Sequence, residues 1–199
     1  MRKINEIFYS IQGEGCRTGV PSVFIRFSGC NLRCEFCDTD HESGKMMSDE
    51  EIINEVKKYS ASQIVLTGGE PSLFIDGEFI RSLKESTGLP VAIETNGTCL
   101  LPEGLDWITV SPKYGMGEKG DATIKVSHAD ELKVVDIGQD LENYFHLPCV
   151  KDNTLMYLQP CYVEDPEQRE KNTRRTIGRV LSDPRWRLSL QTHRFLGIR

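Results

Sequence analysis

Apolar and polar positions alternate in SVFIRFS (Ser22–Ser28), with Val23, Ile25 and Phe27 on one face and Phe24 and Arg26 on the other. Period two predicts a strand. In SDEEIINEVKKY (Ser48–Tyr59) the period changes: Ile52, Val56 and Tyr59 share a helical face, and Ser48 and Glu51 have capping-box spacing. QIVLT (Gln63–Thr67) predicts a short buried strand, and GEFIRSLKEST (Gly77–Thr87) a helix stopped by Gly88. VAIET (Val91–Thr95), WITVS (Trp107–Ser111), ELKVV (Glu131–Val135), LMYLQ (Leu155–Gln159) and RLSLQ (Arg187–Gln191) read as further strands. A last helix fills much of Asp165–Leu181, with Pro166 in its first turn.

Strands alternating with helices predict an α/β fold with a mainly parallel sheet. The alternation is incomplete. NGTCLLPEGLD (Asn96–Asp106) and PKYGMGEKGD (Pro112–Asp121) are rich in glycine or proline and hold no ordinary helix. A closed eight-stranded barrel typically takes about 250 residues, and this chain has 199. The expectation is one domain over 1–199, an open partial (β/α) barrel with several helices missing. Segments 1–21 and 187–199 are expected to complete its site. Polar residues crowd the C-terminal strand ends, where parallel α/β sheets place ligands: Thr67 to Glu70, Glu94 to Asn96, Ser111 to Lys113, Gln159, and Gln191 to His193.

Composition narrows the class. Hydrophobic content of 38% and charged content of 27% read as globular, and a net charge of −6 argues against general nucleic-acid affinity. No apolar run approaches membrane-spanning length and no secretory segment follows Met1, so the expected location is the cytoplasm. Seven cysteines is an odd number, which disfavours a disulfide framework. Cys16, Cys99, Cys149 and Cys161 are scattered, whereas Cys30, Cys34 and Cys37 form GCNLRCEFCDT in C-x3-C-x2-C spacing.

Two metals suit that cluster. With His41 the three cysteines make a Cys3His zinc set, the mark of a structural or interaction module without catalysis. Alternatively they hold three corners of a four-iron cluster and leave the fourth iron open, as a catalytic site requires.

CxxxCxxC after one strand and GGEP (Gly69 and Glu70 within Gly68–Pro71) after the next resembles the radical S-adenosylmethionine superfamily. The resemblance implies a partial barrel of the radical SAM type and a [4Fe-4S] cluster on Cys30, Cys34 and Cys37. It also implies S-adenosylmethionine chelated to the fourth iron and cleaved to a 5′-deoxyadenosyl radical. Gly68, Gly69 and Glu70 would meet the amino group of the cofactor. Thr95, Ser111, Lys113 and Gln159 would lie around its ribose, carboxylate and adenine, although each also suits a cap or turn.

YSIQGEGCRTGVPSVFIRFSGCNLRCEFCDT (Tyr9–Thr39) and LSLQTHRFLGIR (Leu188–Arg199) are similar to a narrower branch of that superfamily. This branch contracts 6-carboxy-5,6,7,8-tetrahydropterin to 7-carboxy-7-deazaguanine with loss of ammonia, toward queuosine and other 7-deazapurines. The likeness implies magnesium on Thr39, with Asp38 as the alternative ligand. It implies substrate contacts from Gln12, Glu14, Arg26, Thr67, Gln191 and His193. Gln12 and Glu14 are two apart and point the same way in an extended segment, where amide and carboxylate suit an aminopyrimidinone edge. A solvated glycine turn explains QGEG equally, a salt bridge on the sheet explains Arg26, and surface exposure explains His193. Arg194 stands where the branch typically has lysine. An open barrel needs closing by a dimer partner or by the tail, so a homodimer is expected, with flavodoxin or ferredoxin as electron donor. A glycyl-radical activase is the rival within the superfamily; it leaves QGEG, Thr39 and QTH unexplained.

Overall fold

The structure, a computed structural model, describes residues 1–35, 37, 43–113 and 120–199. Its strands are β1 (Arg2–Ile11), β2 (Pro21–Phe27), β3 (Lys45–Met47), β4 (Gln63–Gly68), β5 (Val91–Thr95), β6 (Trp107–Val110), β7 (Glu131–Asp136), β8 (Leu155–Pro160) and β9 (Arg187–Leu188). Its helices are α1 (Asp49–Val56), α2 (Gly77–Thr87), α3 (Pro166–Ser182) and α4 (Thr192–Leu196). All described strands join one sheet in the order β3-β1-β2-β4-β5-β6-β7-β8-β9. β2 and β4 to β9 run parallel, while β1 is antiparallel to β2 and β3. The sheet stays open between β3 and β9, as the sequence led us to expect.

Local signals set the helices. Ser48 and Glu51 close the expected capping box on α1, with Glu51 N–H donating to Ser48 Oγ at 3.2 Å and Ser48 N–H to Glu51 Oε2 at 2.7 Å. α2 stops where Gly88 turns to φ +70°, a conformation that costs glycine little. Asp165 caps α3 and Pro166 occupies its first turn. The helices α1 and α2 bury Ile52, Val56, Phe79, Ile80 and Leu83 against Val23, Ile25, Phe27, Ile64, Leu66 and Ile93 on the outer sheet face. A second core joins Leu132, Val134, Leu158 and Trp186. α3 is fastened there by fully buried Asp136, which pairs with Arg179 at 2.7 Å and accepts from Thr176 Oγ1 at 2.8 Å.

Two parts of the sequence reading need correction. β1 was not expected, because RKINEIFYSI lacks strict alternation. A register shift between Ile4 and Glu6 explains this: Ile4 enters the outer core, whereas Phe8 packs in a cluster with Phe24, Val65 and Ala92. At the other end, RLSLQ pairs as a strand only over Arg187–Leu188. The chain then turns toward the 10–13 segment, where Thr192 N–H donates to Gly13 O at 2.9 Å, and Gln191 becomes the cap of α4. Among the described residues no helix lies between β5 and β7, and no helix is long and apolar enough to cross a membrane.

Candidate active site

The C-terminal strand ends open on one cavity of about 300 Å³. One wall is built by the cysteine loop. β2 runs into Gly29 at φ +102°, and Glu70 N–H donates to Gly29 O at 2.9 Å. A Cβ on Gly69 would stand 2.1 Å from that carbonyl oxygen, so only glycine lets the β4 end approach the loop. Cys30, Cys34 and Cys37 all line the cavity, with Gly68, Gly69, Thr95, Ser111, Lys113 and Gln159 around them. Leu32 N–H donates to Cys30 Sγ at 3.4 Å, and Cys37 N–H to Cys34 O at 3.2 Å. Burial pushes the Cys30 thiol pKa up.

These donors fit an iron–sulfur cluster. Three thiols face a shared space, with a backbone N–H already on one sulfur. A multi-iron cluster takes each cysteine at a separate corner, so convergence on one point is not required; His41, the fourth member of the zinc set, lies outside the described residues.

The loop is also held by neutral side chains, of which the sequence marked only Asn96, as a polar strand-end residue. Asn31 Nδ2 donates to Thr98 Oγ1 at 2.8 Å, and Asn96 Nδ2 donates to Asn31 Oδ1 at 3.1 Å. Glu70 sits behind this wall. Its carboxylate is fully buried and accepts from Thr95 Oγ1 at 2.6 Å, Asn96 N–H at 2.7 Å and Ser72 N–H at 3.0 Å. It does not line the cavity; those donors occupy it, so it fixes the ends of β4 and β5.

The opposite wall is charged. Lys133 on β7 is 5% exposed, and its Nζ lies 2.5 Å from Glu14 Oε2 and 3.3 Å from Glu94 Oε2. Gln12 Nε2 donates to Glu94 Oε1 at 2.9 Å, and Gln191 Nε2 to Glu14 Oε1 at 2.9 Å. Burial alone would raise the Glu14 pKa, but the Lys133 ammonium, with hydrogen bonds from Lys133 and Gln191, holds it at about 2. Burial would lower the Lys133 pKa, yet Glu14 and Glu94 drive it upward. Both partners therefore stay ionised at neutral pH.

QGEG is more than a solvated glycine turn. A Cβ on Gly13 would stand 2.2 Å from His193 Nδ1, and one on Gly15, at φ +64°, would stand 2.0 Å from Glu131 Oε1. Both glycines thus admit a side chain pressed on the turn, and Glu14 projects between them into the cavity. Gly15 N–H donates to Ser189 Oγ at 3.0 Å, and Ser189 Oγ donates to Gln159 Oε1 at 2.7 Å. The Cys16 side chain is exposed; its contribution is a backbone N–H donating to Glu131 Oε2 at 2.8 Å.

Arg26 has two sets of neighbours. It lines the cavity, and its Nε pairs with Glu6 Oε1 at 2.9 Å. Arg199 pairs with the other oxygen of Glu6, and both guanidinium groups lie over the Phe8 ring, at 5.6 and 5.3 Å. Thr67, Gln191 and His193 also face the cavity. Lys113 Nζ donates to Ser111 Oγ at 2.7 Å. Arg194 instead stacks on Tyr162, 3.7 Å from the ring centroid. Thr39, Asp38 and His41 lie outside the described residues.

Lys133 and Glu131 were absent from the candidate set, and Glu94 was marked only as a polar strand end, although the signal was there. In ELKVV, Glu131 and Lys133 share the face opposite Leu132 and Val134. Charges on one face of a strand buried on both mark a polar interior.

Residues 24–141 match the family model described as the Radical SAM superfamily. A protein of Bacteroides thetaiotaomicron named 7-carboxy-7-deazaguanine synthase is 53% identical, with 100% of each chain covered. One of the same name from Haemophilus influenzae is 37% identical over 98% of this chain and 93% of its own. The crystal structure of QueE from Escherichia coli superposes with a TM-score of 0.75 at 29% identity, covering 95% of this chain and 93% of that one.

Proposed function

The chain belongs to the radical S-adenosylmethionine superfamily and to its 7-carboxy-7-deazaguanine synthase family, and from that premise we propose that it converts 6-carboxy-5,6,7,8-tetrahydropterin to 7-carboxy-7-deazaguanine with loss of ammonia. One observation carries the reading: the three family cysteines share a single cavity with the ionised Glu14–Lys133 pair. A cluster alone would serve any radical enzyme. A buried carboxylate already holding amide and ammonium donors suits a flat heterocycle with an N–H edge.

The cofactors are a [4Fe-4S] cluster, S-adenosylmethionine and Mg2+. Bound together, the cluster and S-adenosylmethionine supply an alkyl radical that takes hydrogen from substrate. Cys30, Cys34 and Cys37 would hold the cluster. Gly68, Gly69, Thr95, Ser111, Lys113 and Gln159 would seat S-adenosylmethionine, with Glu70 bracing the strand ends behind it. Gln12 and Glu14 would bind the aminopyrimidinone edge, Arg26 the substrate carboxylate, and Thr67, Gln191 and His193 the remaining polar atoms. Thr39 would supply a hydroxyl to magnesium, which prefers oxygen donors. The chain's own work is to exclude water and hold the reacting carbon in place.

A homodimer would close the open barrel. Phe195 and Leu196, 75% and 65% exposed, stand beside cavity-lining His193 and give such a contact an apolar surface; light scattering reads the mass. The electron donor would be a flavodoxin or ferredoxin, and each should support turnover in place of a chemical reductant. The activity test is anaerobic. Protein reconstituted with iron and sulfide, given S-adenosylmethionine, magnesium, reductant and the pterin, should yield 7-carboxy-7-deazaguanine by mass spectrometry. Brown protein yielding only 5′-deoxyadenosine would overturn the substrate.

A further inference from the structure

Glu131 is a buried carboxylate outside the residues assigned above. It sits at the start of β7, 3% exposed, two positions before Lys133 on the same face. It lines a second cavity of about 10 Å³, beside Glu14, Glu94 and Arg17, which is space for about one water. Its hydrogen bond goes to the main chain of the QGEG turn, from Cys16 N–H at 2.8 Å. Gly15, one residue earlier, is glycine where the Glu131 carboxylate leaves no room for a Cβ.

We propose that Glu131 is a positioning residue for the substrate: its ionised carboxylate docks the Gly13–Arg17 turn on the barrel floor and so sets Glu14 in the cavity. The proposal rests on the assignment of Glu14 to the pterin. β7 then grips the turn twice, through Glu131 on its backbone and Lys133 on the Glu14 side chain. Two anchors define both the position and the orientation of Glu14, which one ion pair cannot do.

The docking depends on charge. A backbone N–H bonds an ionised carboxylate about twice as strongly as a neutral acceptor. The groups facing Glu131 are Glu14, Cys16 and Arg17 from the turn, Glu94 from β5, Lys133 from its own strand and Tyr157 from β8; its β6 neighbour, Thr109, is uncharged. Burial, aided by Glu94 and Glu14, outweighs the Cys16 hydrogen bond and Lys133 and raises the Glu131 pKa to about 7. A carboxyl with a raised pKa destabilises the fold more as pH rises from 4.5 through 7. The protein thus keeps an unfavourable charge where the substrate needs it, and replacing that charge should not weaken the fold.

The test compares the reconstituted holoenzyme with its Glu131→Gln variant by hydrogen exchange of the peptide containing Cys16, corrected for intrinsic rates, from pH 6 to 8. At pH 8 the variant should exchange about fivefold faster, and its KM for the pterin should rise by a similar factor. The wild type's Tm should rise as pH falls below 7 and the variant's should show no such step, while the variant's Tm at pH 8 does not fall. Equal exchange in both proteins, or a Tm that drops with KM, would overturn the proposal. If the wild type makes no 7-carboxy-7-deazaguanine, the activity reading falls and the exchange data alone decide the docking.

Discussion

The two walls of the cavity are built by opposite means. Around the cysteines the chain uses main-chain approach and neutral hydrogen bonds: Gly69 against Gly29, Asn31 with Asn96 and Thr98, and Glu70 with its carboxylate fully engaged. Across the cavity it uses ionised side chains, with Lys133 between Glu14 and Glu94. The first wall presents three thiols and a glycine edge to whatever binds, and adds little fixed charge. The second presents charge in a largely buried place, where a misplaced polar group is costly and discrimination correspondingly sharp. The difference separates the tasks: one wall loads the cofactors, the other selects the substrate.

The strongest way to break this comparison is Lys133→Met. It strands two half-buried carboxylates, and removing one partner of a fully buried pair costs about 3–5 kcal/mol, an upper bound here; thermal melts should show a large drop, partly restored when Glu14→Gln is added. On the cysteine wall, Glu70→Gln should cost about 2–3 kcal/mol, since an amide cannot accept from all three donors. Iron content after reconstitution should fall with it, which Lys133→Met should not match per folded molecule. Gly15→Ala should weaken pterin binding and lower Tm, through both the positive φ and the Glu131 contact.

A pH series sharpens the charged wall. The Glu14 pKa is depressed to about 2, so its stabilisation is complete above 4.5 and is lost as pH falls toward 2. Melts should show the wild type's advantage over Glu14→Gln shrinking across that window and vanishing at its acid end. The smallest effect belongs to Asn31→Ala, about 1 kcal/mol for its hydrogen bonds, with a shift in the cluster's reduction potential read by electron paramagnetic resonance titration.

The same contrast explains what was legible in the sequence. The cysteine wall follows from short-range pattern, since Cys30, Cys34 and Cys37 lie on one loop and Gly68 to Glu70 on one strand end. The helices announced themselves through Ser48, Pro166 and Gly88. The charged wall joins Glu14 to Lys133 across 119 residues and to Gln191 across 177. No local period links them, so Lys133 stayed hidden although the strand carrying it was evident. The partners of Glu70 were hidden for the same reason, because Thr95 and Asn96 arrive from the next strand. β1 escaped because its register shift broke the period that reveals strands.

The division of labour between the walls is tested most directly by Glu14→Gln in the anaerobic assay, counting 7-carboxy-7-deazaguanine formed per S-adenosylmethionine cleaved without product. The account predicts that this ratio falls at least about tenfold, the scale of one lost charged contact to substrate, in protein with normal iron content. A ratio equal to the wild type's, with both reactions slowed together, would contradict it and make the charged wall a structural element alone.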